Sequence, residues 1–146
     1  MKRFNMATTM MMLPFLVLVM FGYAEAQQES LSAKGYSDRG VSYFKKGQYD
    51  QAIADYNRAI EINPKDAKAY NNRGIAYGEK GQYGLSIADF NKVLEISPRD
   101  ADAYINRGHT YMKSGNKQKA CSDWKRACEL GDCTEDKIAK TKGWCE

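Results

Sequence analysis

All four cysteines of this chain lie within its last 26 residues, and the 120 residues before them contain none. They are Cys121, Cys128, Cys133 and Cys145. Their spacings of 7, 5 and 12 include no C-x-x-C pair, the arrangement typical of thiol redox centres and of zinc sites. An even number of cysteines in an exported protein is instead typical of structural disulfides. We therefore predict two disulfides, with a thiol-redox or metal-linked site as the alternative.

Four cysteines allow three disulfide connectivities. Cys121 and Cys128 are expected on one helix, about 10 Å apart, which exceeds the roughly 7 Å that a disulfide allows between Cα atoms. That pairing is excluded. The nested pairing joins Cys128 to Cys133 and Cys121 to Cys145, and the crossed pairing joins Cys121 to Cys133 and Cys128 to Cys145. We favour the nested pairing, because a helix hairpin would place Cys133 beside Cys128 and run back toward Cys121.

Few other residues could do chemistry. His109 is the single histidine, and no sequence neighbour completes a catalytic triad or a metal cluster. The glycines recur periodically and form no phosphate-binding loop. We therefore expect no catalysis, no cofactor and no metal. With 22 basic and 18 acidic residues, the charge is too balanced for a nucleic-acid binder, which usually carries a clustered basic face.

Residues 1–26 differ from the rest of the chain. Lys2 and Arg3 precede an apolar run over 10–21, and small residues flank Glu25 at its end. This order is typical of a secretory signal peptide, here cut after Ala26. The apolar run of 12 residues is shorter than the roughly 20 that a membrane span needs. We therefore expect export, to a bacterial periplasm or to the medium, without a membrane span after cleavage.

The remaining chain repeats with a period of 34 residues. Residues 33–66 and 67–100 align without gaps at 18 of 34 identical positions, and 101–134 follow the same pattern. Each unit carries Tyr, Gly and Tyr spaced by four and three residues, then a second Gly. The pattern resembles the tetratricopeptide repeat family. The resemblance implies an all-α fold, a right-handed superhelix of three helix–turn–helix repeats, with 27–32 as an N-terminal linker and 135–146 as a capping segment.

Glycine, proline and aspartate recur at positions that predict the helix boundaries. The glycines expected to end the first helices in a left-handed conformation are Gly47, Gly81 and Gly115. The residues expected to stop the second helices and to cap the next first helices are Pro64, Pro98, Asp66 and Asp100.

A further glycine lies in the middle of each first helix, where glycine costs about 1 kcal/mol relative to alanine. These glycines are Gly40, Gly74 and Gly108. We interpret them as sites where two helix backbones approach closely. The small residues expected to face them from the second helix are Ala52, Ser86 and Ala120.

An arginine precedes each of these mid-helix glycines, and an aspartate follows the arginine by 16 residues. The pairs are Arg39 with Asp55, Arg73 with Asp89, and Arg107 with Asp123. A helix pair closed by a short turn brings the two positions together, either within one repeat or between neighbours. We predict structural ion pairs, which fix the register more than they add stability.

The final segment is expected to cover the last repeat, which has no following neighbour. Thr134 is the predicted N-cap, with Glu135 and Asp136 in the first turn, where negative charge suits the helix dipole. Ile138 and Trp144 are predicted to face the core. An isolated helix of this length is marginal, so we expect the disulfides to hold it in place.

The family resemblance also implies where a protein or peptide partner would bind, since family members use set positions on the first helices. The corresponding residues here include Val41, Phe44, Lys45, Lys68, Asn71, Asn72, Ile75, Ile105, Asn106, His109, Met112 and Lys113. Asn72 and Asn106 could hold the backbone of an extended peptide, because a side-chain amide both donates and accepts. The apolar members could form a hydrophobic strip between polar walls.

Some family members bind an acidic chain terminus through a lysine–asparagine–arginine clamp. In this sequence Ser37, Val41 and Asp102 stand at positions of that clamp, and only Asn72 matches it. We therefore expect an uncharged or weakly amphipathic partner segment. The leading hypothesis is an exported, non-catalytic adaptor, and the first alternative is a self-assembling homo-oligomer that associates through its N-terminal end.

Overall fold

The computed structural model describes residues 31–145, which form seven α-helices and no strand. The predicted signal peptide over 1–26 lies outside the described residues, as does most of the 27–32 linker. The helices are α1 (Ala33–Lys45), α2 (Tyr49–Ile62), α3 (Ala67–Glu79), α4 (Tyr83–Ile96), α5 (Ala101–Lys113), α6 (Lys117–Glu129) and α7 (Thr134–Thr141). The all-α fold of three helix pairs and a short final helix is confirmed.

The helices pack in sequence order, each on the next. α1 packs on α2, α3 on α4, and α5 on α6, and each pair lies within one 34-residue period. The pairs join through the contacts of α2 with α3 and of α4 with α5. The first helices α1, α3 and α5 also contact one another in order, so they form one continuous face. None of the described helices is long and apolar enough to cross a membrane.

The predicted boundary residues act as expected. Gly47, Gly81 and Gly115 have φ values of 73°, 72° and 84°, which a residue with a side chain rarely adopts. The second helices α2 and α4 end two residues before the prolines. The Asp66 and Asp100 carboxylates accept hydrogen bonds from the amides of Ala69 and Ala103, at 3.1 Å and 3.0 Å. These local interactions divide the three repeats into helices of 13 or 14 residues.

The mid-helix glycines face aromatic rings, and the predicted contact with small residues is wrong. A Cβ on Gly40 would lie 2.7 Å from the Tyr56 ring, and one on Gly108 would lie 2.5 Å from Trp124. In the second repeat the corresponding distance from Gly74 to Phe90 is 3.2 Å. Each ring, one turn beyond the small residue, reaches across to the first helix and is fully buried. The close approach is therefore between a helix backbone and a ring.

Each predicted arginine–aspartate pair forms within its own repeat. Arg73 donates from Nε and Nη2 to the two carboxylate oxygens of Asp89, at 2.8 Å and 2.6 Å. The same two-bond geometry joins Arg39 to Asp55 and Arg107 to Asp123, with distances of 2.6 Å to 2.8 Å. All three aspartates are buried. Of the two registers left open by the sequence, the structure has the one within a repeat.

The arginines also bind the preceding repeat, which the sequence analysis missed. Arg73 Nη1 donates to Asn57 Oδ1 at 2.6 Å, and Arg107 Nη1 donates to Asn91 Oδ1 at the same distance. We call this set of three hydrogen bonds the arginine clamp: two to the aspartate of the same repeat and one to the asparagine of the preceding repeat. The signal was present in the sequence, because Asn57 and Asn91 are 34 residues apart.

Replacing Arg73 by Met tests the arginine clamp. Asp89 would keep its buried carboxylate without a partner, so we expect the free energy of unfolding to fall by about 3 to 5 kcal/mol. The matched control is the double variant Arg73→Met, Asp89→Leu, which removes both charges and should recover most of that loss. Urea unfolding followed by circular dichroism measures both. A double variant as unstable as the single one would show that the buried charge is not the cause.

Candidate functional site

The predicted binding residues lie along α1, α3 and α5, the helices that form one continuous face, here called the inner face. The lysines among them, Lys45, Lys68 and Lys113, are exposed. The others are half-buried, apart from the exposed His109. The inner face therefore combines partly accessible apolar side chains with a polar border.

Two of the asparagines bind each other across neighbouring repeats. Asn106 Nδ2 on α5 donates to Asn71 Oδ1 on α3 at 3.1 Å. The Asn106 side chain therefore already uses one donor and keeps its own oxygen, Oδ1, for other partners. The Asn72 side chain has no hydrogen bond within residues 31–145. Of the two asparagines predicted to hold a peptide backbone, Asn72 has the larger unused capacity.

The apolar residues of the first repeat are used mainly in packing. Val41 and Phe44 contact the buried cluster that contains Ile53 and Tyr56, and the Phe44 ring lies 5.3 Å from the ring of Tyr49. In the first repeat the predicted hydrophobic strip therefore contributes to the core.

A pocket of about 540 Å³ opens on the inner face, between the second repeat, the third repeat and the final segment. It brings together five of the predicted residues with side chains of the final segment. The predicted residues are Ile75, Asn106, His109, Met112 and Lys113. The final segment contributes Glu135, Ile138, Lys142 and Trp144, and the second helices contribute Phe90 and Trp124. Sequence reasoning missed the wall that the final segment supplies, because that segment has no counterpart in the other repeats.

Ile138 and Trp144 were predicted to face the core, and this prediction is wrong. They are 38% and 37% exposed, and the buried apolar residue of α7 is Ala139. Helix α7 has room for only a small residue against α6, where Ala139 packs with Ala120 and Trp124. The two larger side chains therefore lie at the pocket.

Thr134 is not the N-cap. Helix α7 begins at Thr134, and its N-cap residue is Cys133, which makes no side-chain capping bond. Asp132 instead accepts a hydrogen bond from the Thr134 amide at 3.0 Å, and this bond lowers the pKa of the Asp132 carboxyl. Glu135 and Asp136 occupy the first turn as predicted.

The charged groups at the rim of the pocket are paired within the chain. Lys113 Nζ on α5 lies 3.2 Å from Glu79 Oε1 on α3. His109 Nε2 lies 3.4 Å from Glu135 Oε1, and the His109 ring meets the Trp124 ring edge-on at 5.5 Å. The ammonium of Lys142 lies 4.4 Å from the centre of the Trp144 ring. These contacts tie the second repeat, the third repeat and the final segment to one site.

All four cysteines form disulfides, and the connectivity is the nested one. Cys128–Cys133 spans the turn between α6 and α7. Cys121–Cys145 joins α6 to the residue after Trp144 and closes a separation of 24 residues. The centroids of the Trp144 and Trp124 rings are 6.4 Å apart. The longer disulfide therefore holds the residue next to Trp144 against α6.

Three helix pairs, one in each 34-residue period, with first helices that form a continuous inner face, define an all-α repeat protein. Models of known families identify the repeat. One described as "TPR repeat" matches residues 40–81 and 76–115, and one described as "Tetratricopeptide repeat" matches residues 101–131. The chain belongs to the tetratricopeptide repeat family.

Solved structures of other proteins share the fold. The first TPR of Spaghetti (RPAP3), bound to the HSP90 peptide SRMEEVD, is 24% identical with a TM-score of 0.72, over 80% of this chain and 92% of that one. The second TPR of Spaghetti, bound to the same peptide, is 29% identical with a TM-score of 0.65, over 73% and 98%. MamA is 31% identical with a TM-score of 0.66, over 75% and 61%. The comparison with curated proteins gave no match.

Removing the Cys121–Cys145 disulfide should release Trp144. In the variant Cys121→Ser, Cys145→Ser we expect tryptophan emission to move to longer wavelength, because Trp144 becomes more hydrated. The free energy of unfolding should fall by about 3 kcal/mol on the chain-entropy model. The chain has two tryptophans, both at this site, so the emission reports on the pocket alone.

The matched control is the variant Cys128→Ser, Cys133→Ser, which opens a disulfide spanning only five residues. It should cost about 2 kcal/mol and leave the emission near that of the wild type. Equal spectral shifts in both variants would contradict a specific role of Cys121–Cys145 in positioning Trp144.

Proposed function

We propose that this chain is an exported, non-catalytic adaptor that holds an extended segment of a protein partner against its inner face. The observation that carries the proposal is the open pocket of about 540 Å³ on that face, lined by predicted binding residues from two repeats. Its volume lies within the range usual for ligand sites. In support, the second TPR of Spaghetti, 29% identical to this chain, is bound to a peptide.

The side chains of the inner face suit recognition of an extended backbone. Asn72 has an amide group without a hydrogen bond inside residues 31–145, and such a group can donate to and accept from a peptide unit. Ile75 and Met112 lie in the pocket next to polar neighbours. A bound segment would therefore find hydrogen-bond partners for its backbone and apolar contacts for its side chains along the inner face.

The preferred segment differs from an acidic chain terminus. Asp102 is exposed on α5, at a position where family members that bind an acidic terminus carry a base. Ser37 and Val41 stand at other positions of the lysine–asparagine–arginine set that such family members use. A carboxylate-rich peptide would meet repulsion at Asp102 and would find no base at these three positions. We therefore propose a ligand that is uncharged or weakly amphipathic.

Site-specific photo-crosslinking tests the binding face. A photoreactive amino acid at Lys68 or Lys113 would lie on the inner face, and one at Lys92 would lie on the second helix α4 as a matched exposed control. We expect partner crosslinks from the two inner positions, reduced by Asn72→Ala, and none from Lys92. Gel analysis with mass spectrometry reads the products. Crosslinks from Lys92 alone would move the binding face elsewhere.

The exported part of the proposal is supported by the sequence of residues 1–26. Cells that express the full chain should contain a mature form that begins at Gln27, with a net charge of +3 after loss of Lys2, Arg3 and Glu25 from a chain of net charge +4. Mass spectrometry of the intact protein from separated cell fractions measures this. A product that keeps residues 1–26 in the cytoplasmic fraction would contradict export.

A further inference from the structure

The second repeat lacks a side chain where its neighbours carry large apolar ones. Phe44, Gly78 and Met112 occupy the same position of the 34-residue period. Gly78 and Met112 both line the pocket of the inner face. A Cβ on Gly78 would lie 3.4 Å from Ser86 Oγ and 4.0 Å from Thr110 Oγ1, so the site has ordinary room for a side chain. Part of the pocket is therefore the space that a side chain at position 78 would occupy.

The two hydroxyls nearest Gly78, those of Ser86 and Thr110, have no free hydrogen-bond donor. The Thr110 hydroxyl donates to the main-chain carbonyl oxygen of Asn106 at 2.9 Å. The Ser86 hydroxyl, which is 3.2 Å from Thr110 Oγ1, must then be the donor to that oxygen. The apolar part of the lining is supplied by Ile75, Met112, Phe90, Trp124, Ile138 and Trp144. A polar group placed directly above Gly78 would therefore lose water without gaining a donor from these two hydroxyls.

The rim carries charges of both signs, which disfavours a charged occupant. A carboxylate entering the pocket would approach Glu79 and Glu135, and an ammonium would approach Lys113 and Lys142. Glu79 and Lys113 already pair with each other. A neutral side chain would leave this pair in place, so the electrostatic environment of the pocket favours an uncharged occupant.

We propose that the pocket binds one large, uncharged apolar side chain, such as leucine or phenylalanine, from an extended segment of the partner protein. That side chain occupies the space above Gly78 and contacts Ile138 and Trp144 of the final segment. The inference rests on the proposed function and names the chemistry that the inner face selects. The Cys121–Cys145 disulfide contributes indirectly, because it positions Trp144 as a wall of the pocket.

Short peptides of glycine and serine with one central residue test this chemistry. The central residue is leucine, phenylalanine, aspartate or lysine. Binding is followed by the two indole N–H resonances of the isotope-labelled protein, which belong to Trp124 and Trp144. We expect saturable shifts with leucine and phenylalanine, and about tenfold weaker binding of the charged peptides. Absence of binding by the apolar peptides, or equal binding by aspartate or lysine, would overturn the proposal.

A glycine substitution then locates the binding. Gly78→Met supplies the residue of the third repeat and should fill the pocket, which weakens the leucine peptide by about tenfold. Gly84→Met is the matched control, because Gly84 lies on helix α4 with no atom within 4 Å of a Cβ there. It should leave the affinity unchanged. Ile138→Ser, on the exposed wall of the pocket, should also weaken binding and does not depend on tolerance of a new side chain at 78.

Unchanged affinity of the leucine peptide in both Gly78→Met and Ile138→Ser would overturn the inference. The same variants in the crosslinking experiment separate the two proposals. If crosslinking from Lys68 and Lys113 to the partner is the same in both variants as in the wild type, the proposed apolar side chain in the pocket is wrong and the adaptor function stands. If the inner positions capture nothing while Lys92 does, the adaptor function itself fails.

Discussion

The arginine clamp sets the geometry on which the rest of the structure depends. Arg73 reaches three acceptors in two repeats, and its side chain is only 18% exposed. The hydrogen bonds to Asp89 raise the pKa of the guanidinium and outweigh the lowering effect of its burial, so the group stays charged. A buried planar cation with fixed acceptors tolerates little sliding of one helix on another. The clamp therefore fixes both the pairing within a repeat and the spacing between repeats.

The clamp also distinguishes the ends of the array from its middle. Arg39 has its aspartate, but its side chain is 48% exposed compared with 18% for Arg107. At the other end the series stops, because Lys125 and Thr141 stand where the next asparagine and arginine would be. The third repeat thus cannot bind a successor through the same interaction. Helix α7 and two disulfides cover α6 instead, by contacts that the other repeats do not use.

The sequence predicted the structure correctly where equivalent positions of the three 34-residue repeats could be compared. The cap residues, the left-handed glycines and the aspartate partner of each arginine follow from positions that recur in a known register. It failed on Thr134, Ile138 and Trp144, which occur once and whose orientation depends on how α7 meets α6. It also misassigned the contacts of Gly108, because spacing along a helix does not show that a large ring reaches further than a small residue one turn away. Most of the pocket's first-helix lining was predictable, and its wall from the final segment was not.

The way in which the array ends connects stability to binding. A short helix against α6 can bury only a small residue, so Ala139 packs and the larger Ile138 and Trp144 stay at the surface. Exposed apolar side chains on an outer surface would favour association, but here they lie beside the gap at Gly78 on the inner face. The same disulfide that compensates for a marginal helix also holds one wall of the pocket. Loss of that disulfide would therefore alter the pocket before it unfolded the repeats, whose own packing and arginine clamps lie elsewhere.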